Sequence, residues 1–161
     1  MRIRAILGAT AVAAAGLGLA AGAAPAAAAR TCTWGGTPAS PAGVSRFDPV
    51  TNVPSPWPLR FRASGELGGG CHGRFRFSGQ MDAGSSCSMI AFEGRATGLP
   101  GVARFVGTSD LGVAPARLYD RRGRLTGSEN AQFLTNSNLT DCSKPGGLTH
   151  VRFSSVIRLL G

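Results

Sequence analysis

Lysine is almost missing from this chain: Lys144 stands alone, and every other basic side chain is an arginine. Histidine is limited to His72 and His150, with no His-x-x-x-His spacing, so the helical two-histidine zinc site is excluded. None of the four cysteines stands in the close C-x-x-C pair that zinc sites usually show. No G-x-S-x-G elbow is present. The run from Gly107 to Gly112 has glycines at both ends, but the wrong spacing around Ser109 and no helical pattern after it. The carboxylates Asp48, Glu66, Asp82, Glu93, Asp110, Asp120, Glu129 and Asp141 are scattered and do not specify a glycosidase pair. After residue 30 no segment sustains helical periodicity, and none supplies the roughly 18 apolar residues of a membrane-spanning helix. No catalytic residue, metal site or cofactor is therefore expected.

What is present begins with a leader. Arg2 and Arg4 precede a largely apolar run from Ile6 to Ala21, and Ala27, Ala28 and Ala29 offer a small-residue cleavage site before Arg30. That order predicts a secretory signal peptide over residues 1–29, and with it an extracellular or envelope-associated protein. Losing Arg2 and Arg4 with the leader takes the formal charge from +9 to +7. The remainder fits one domain. Within it, residues 30–58 carry Pro38, Pro41, Pro49, Pro54, Pro56 and Pro58. Proline disfavours helices and central strands, so this stretch is expected to be an extended arm laid over a β domain of residues 59–161.

The β domain shows period-two alternation. Leu59, Phe61, Ala63 and Leu67 alternate with Arg60, Arg62 and Ser64, and Phe75 and Phe77 alternate with Arg74, Arg76 and Ser78. Ile90, Phe92 and Ala96 oppose Glu93, Arg95 and Thr97, while Val151, Phe153, Ile157 and Leu159 oppose Arg152, Ser154 and Arg158. Such alternation marks antiparallel strands with one wet side. Gly68, Gly69 and Gly70 are expected to turn the first hairpin, residues 82–86 the second, and Pro100 and Gly101 a type II turn that sets Thr97 against Arg104 and Ala96 against Phe105. The fold class is all-β: a small antiparallel meander of about seven strands, closed as an up-and-down barrel or flattened as a sandwich. Gly65, Gly73, Gly79, Gly94, Gly98 and Gly107 fall on the inner side, where they ease curvature or leave a cavity.

An even cysteine count behind a leader implies two disulfides. Successive turns of a meander alternate between its two ends. Cys71 then opens a strand at the top, whereas Cys87 and the loop holding Cys142 fall at the bottom. The expected bridges are Cys87–Cys142 and Cys32–Cys71. The same order separates His72, at the top, from His150, at the bottom.

Arginine is the one organised surface feature. Closing the first hairpin on its glycines sets Arg60 near Arg76 and Arg62 near Arg74, all outward, and Arg95 and Arg104 extend the face. Like charges opposed across strands are destabilising, so this basic face is the expected binding site for an anionic cell-wall polymer or polysaccharide. Glu93, among Arg74, Arg95 and Arg104, is expected to be a surface partner for them. Nucleic acid is disfavoured as a partner: with Arg60 outside, Phe61 is inside and has no base to stack on.

The run Thr31 to Pro38 (TCTWGGTP), with Phe92-Glu93-Gly94, Gly98 to Phe105 (GLPGVARF) and Glu129 to Gln132 (ENAQ), resembles small secreted actinobacterial proteins of unknown function. The resemblance implies secretion and carries no functional residue across. Three functions are thus in view. The first is a non-catalytic binding or envelope-associated protein that uses the basic face. The alternatives are a barrel carrier of a small apolar ligand and an extracellular enzyme with its site at one barrel end.

Overall fold

The computed structural model describes residues 28–110, 112–133 and 139–161, with the side chains of residues 139 and 140 left aside. The expected leader lies outside the described residues except for Ala28 and Ala29. The chain from residue 59 forms seven consecutive antiparallel strands: β5 (Leu59–Gly69), β6 (Arg74–Met81), β7 (Ile90–Thr97), β8 (Arg104–Ser109), β9 (Val113–Tyr119), β10 (Leu125–Phe133) and β11 (Leu148–Leu159). A short 3-10 turn, Leu139–Ser143, precedes β11. Leu59, Phe61, Ala63, Phe75, Phe77, Ala96, Phe105, Val151, Phe153 and Ile157 are buried and the arginines between them point outward, as the alternation predicts, whereas Ser154, expected on the wet side, is buried.

The arm expectation for residues 30–58 is corrected. This segment supplies the eighth stave of a closed barrel, in two pieces. β1 (Arg30–Trp34) pairs with the upper part of β11, from Arg30↔Leu159 to Trp34↔Ser155, and with β5 from Cys32↔Gly69 to Trp34↔Leu67. β4 (Gly43–Val50) continues along the same slot lower down, against Leu148 to Phe153 of β11 and Phe61 to Ser64 of β5. Between them a small hairpin, β2 (Gly36–Thr37) and β3 (Ser40–Pro41), is pushed out of the wall. The prolines are accommodated because they stay out of the barrel's own ladders. Pro41 ends β3, Pro49 lies where the β4–β11 register slips, and Pro54, Pro56 and Pro58 follow the last pairing.

Gly35 makes the interruption possible. Its N–H donates to the Glu66 carbonyl, its own carbonyl accepts from the N–H groups of Ala42 and Gly43, and it sits at φ +75°. A Cβ there would lie 2.7 Å from the Gly43 Cα. Beside it, Trp34 is 2 % exposed and fills the barrel axis. Its indole N–H is shared between the carbonyls of Gly65 (3.1 Å) and Phe75 (3.0 Å), and its ring contacts Phe75, Phe77 and Phe153 at centroid distances of 5.1, 4.8 and 4.5 Å.

Two registers differ from expectation. β5 does not turn at Gly68 and Gly69; it runs on through them to meet β1, so the first turn moves to residues 70–73. In the β7–β8 hairpin the turn at Pro100 and Gly101 forms, with Val102 N–H donating to the Leu99 carbonyl and Gly101 at φ +81°. Extra residues on either side shift the pairing to Arg95↔Arg104 and Gly94↔Phe105, two positions from the expected one and on the same faces. The disulfides are Cys32–Cys71, closing the top, and Cys87–Cys142, at the bottom, as the alternation of turns requires.

Gly79 and Gly94 oppose each other across β6 and β7, where a Cβ on either would strike the other strand's backbone. The wall bends there. Gly73 and Gly98 belong instead to turns, at φ +94° and +93°. Gly35→Ala is expected to lower unfolding free energy by about 2–4 kcal/mol, through left-handed strain plus the steric clash. Urea denaturation of the oxidised protein measures it; a change near zero would show that the stave is not seated as described.

Candidate functional site

The outer wall is built by the register just described. Arg60 faces Gln80, Arg62 faces Ser78, Arg76 faces Ser64 and Arg74 faces Glu66, so the expected Arg60–Arg76 and Arg62–Arg74 neighbours are not neighbours. The continuation of β5 through its glycines is the cause. Three of the six expected basic-face residues have carboxylate partners. Arg74 meets Glu66 at 3.3 Å, Arg60 meets Asp48 at 3.5 Å, and Arg104 meets Glu93 at 2.5 Å, the surface role expected of that glutamate. All three pairs are solvated and contribute at most about 1 kcal/mol each. Arg62, Arg76 and Arg95 have no carboxylate within ion-pair distance among the described residues. Two arginines outside the expected set join them. Arg46 lies directly opposite Arg62, and Arg152 extends outward from β11 beside Val44. Arg46, Arg62, Arg76, Arg95 and Arg152 are thus exposed neighbours with no ion pair among the described residues. His72 is in the upper turn, and His150 is on lower β11 opposite Arg46. Among the described residues no three metal-ligating side chains come together.

The interior holds the other candidate. Eight staves enclose a space just wide enough to be filled by side chains or to hold one small ligand. Trp34, Phe75, Phe77 and Phe105 fill the upper part, with Phe77 and Phe105 stacked at 3.8 Å. Below them remains a cavity of about 80 Å³, walled mainly by Phe61, Phe77, Phe92, Ala114, Ala131 and Phe153. It reaches the lower end of the barrel, where Phe47, Ile90 and Phe133 are only half-buried and Asp110 is exposed.

One charged residue type stands in that apolar wall above the rim: Glu129 of β10, 3 % exposed. In register it faces Ala116 of β9 and Ile157 of β11. The Ser155 hydroxyl donates a hydrogen bond to its Oε1, and no second partner for the carboxyl exists among the described residues. Among the described residues no lysine, arginine or histidine lines the cavity. Burial pushes the Glu129 carboxyl up to about 8, with the Ser155 hydrogen bond acting in the opposite direction. The side chain is therefore a neutral acid at neutral pH, able to donate a hydrogen bond into an apolar space.

Sequence reasoning counted Glu129 among scattered carboxylates. The signal that finds it is parity: Gly127, Glu129, Ala131 and Phe133 share one side of β10. Comparison with protein-family models, curated proteins and solved structures finds no match. What fold and site define is a disulfide-bridged, eight-stave antiparallel barrel with an acid in its interior.

Because the folded-state value of about 8 exceeds the ordinary 4.5, Glu129 costs nothing below about pH 4.5. It removes stability as pH rises from there to about 8, at up to about 1.4 kcal/mol per pH unit, and no more beyond. Glu129→Gln lacks this dependence. Urea unfolding of both proteins at pH 5, 7 and 9 should show the variant gaining on the parent as pH rises; parallel profiles would mean the carboxyl is ionised in the fold.

Proposed function

We propose that this protein is an extracellular binding barrel that takes a small, largely apolar molecule into its interior through the lower end. The observation that carries this reading is Glu129: a carboxyl almost fully removed from water, with a single partner among the described residues, bordering an apolar cavity. A buried carboxyl without compensation costs several kcal/mol relative to an apolar side chain of similar size. Residues that serve only packing do not call for one. The aromatic wall supplies non-directional affinity, and one polar group fixes orientation, which is the usual composition of a small-molecule site. Two disulfides suit an oxidising compartment, and among the described residues no helix is long and apolar enough to cross a membrane.

The cavity volume limits the guest. At about 80 Å³ it is roughly half of an engineered cavity of about 150 Å³ that admits benzene. A slim chain with its tail in the mouth fits better than a fused ring system. Titrating isotope-labelled protein with 1-hexanol should give saturable NMR shifts concentrated on Glu129 to Phe133, Val151 to Ser155 and Ile90 to Phe92. Ala131→Leu, which fills the space, should weaken them at least tenfold while the remaining spectrum stays native. Shifts that never saturate, or that survive Ala131→Leu, would rule the interior out.

The bare arginine wall supports a second activity of the same protein, contact with an anionic extracellular polymer. Arg46 and Arg62 sit directly opposite each other with no carboxylate between them. An anionic partner would relieve that repulsion. Structure divides the arginines into two sets with different expected behaviour. Replacing Arg46, Arg62, Arg76 and Arg95 with Gln should lower the salt concentration that releases the protein from immobilised polyphosphate. Replacing Arg60, Arg74 and Arg104, already neutralised, should change it much less. Equal effects of the two sets would reduce this contact to net charge alone.

A further inference from the structure

Resting on the carrier reading, we infer that the interior selects neutral molecules whose terminal group accepts a hydrogen bond, such as ketones, aldehydes and amides, over carboxylates and amines of the same length. The inference follows from the order of hydrogen bonds at the cavity floor. The Ser155 hydroxyl donates to Glu129 Oε1 and has no other partner among the described residues. With Oε1 accepting, a neutral carboxyl places its own proton on Oε2, which has no partner among the described residues. A guest oxygen placed against it accepts that proton's hydrogen bond. A guest carboxylate would bring a second acid into a space with no cation to neutralise it. A guest ammonium would require both itself and Glu129 to be charged in an apolar enclosure, where burying an ion pair is rarely repaid.

The surroundings leave Glu129 as the group that decides. Its flanking strands present Ala116 and Ile157 in register. Asp110, at the rim, is the only other titratable side chain in the cavity wall among the described residues. From Phe133 at that rim to Glu129 the strand rises about 13 Å, at roughly 3.3 Å per residue. Asp110 therefore meets the guest's tail and Glu129 meets its head. A guest therefore enters with its polar end inward and its tail toward the rim. Above pH 8 the carboxyl ionises, loses the proton it would donate, and becomes an acceptor facing an acceptor. Capture below that pH and release above it follow from the same geometry.

Chains of one length and three heads test this: 2-heptanone, heptylamine and heptanoate, titrated by NMR into the full oxidised protein at pH 6.5 and 9.5. The ketone should bind at least tenfold tighter than either charged chain at pH 6.5, and at least tenfold more weakly at pH 9.5 than at pH 6.5. Glu129→Gln keeps a donor that does not titrate, so the tenfold loss of ketone affinity between pH 6.5 and pH 9.5 should disappear in that variant. Should that variant not fold, the parent's Glu129 ¹³Cδ resonance gives the same answer: saturating ketone should raise the apparent titration midpoint. Tightest binding of heptylamine, or equal binding of all three heads at both pH values, would overturn the inference and leave the carrier reading standing. Binding of none would overturn both.

Discussion

The barrel is closed by an indole. Trp34 lies where a short strand enters the slot between β5 and β11, and its single N–H bridges the carbonyls of Gly65 and Phe75 while its ring packs on three phenylalanines. A strand of five residues has little pairing energy of its own, and burying a large aromatic against the axis supplies what the ladder lacks. Once the upper slot is taken by β1, β5 must extend past its glycines to meet it. That extension sets the register of the first hairpin, and the register decides which arginines face carboxylates and which do not.

The same plug partitions the interior. Aromatic rings saturate the upper half, and the small side chains of Ala114 and Ala131 leave the lower half underfilled. Rigidity above and space below are therefore parts of one packing solution. The Cys32–Cys71 bridge adds a covalent tie to the rigid end, and the Cys87–Cys142 bridge secures the loops of the lower end. A chain-entropy argument gives each bridge about 2–4 kcal/mol.

Much of this architecture is legible in the residues themselves. Period-two alternation reveals β5, β6, β7 and β11 because one side of the wall is wet, and the disulfide pairing follows from the order of strands and turns. What local pattern does not show is contact made at long range. Gly68 and Gly69 have the composition of a turn, yet their partners are Thr33 and Cys32, more than thirty residues earlier. The prolines of residues 30–58 argue against a central strand, but Pro38 and Pro41 lie in the small outer hairpin and the others at breaks in the wall's pairing, leaving Val44 to Arg46 free to bond on both sides. Glu129 was hidden by its chemistry: a carboxylate is assigned to the surface by default, although the parity of Ala131 and Phe133 points inward. The surface role read for Glu93 is what its own outward parity gives it, with Arg104 as its neighbour.

A stave made of two collinear segments, joined only by a small hairpin outside the wall, makes this a barrel that is complemented from within. Severing the backbone between Thr37 and Ser40 would leave the first segment as a detachable peptide, tethered through Cys32 to Cys71 and docked by Trp34. Under reducing conditions the two fragments would become separate partners whose reassociation is a bimolecular event. The excised peptide would then act as a donor strand, and the remaining barrel would present an unfilled groove shaped to one tryptophan.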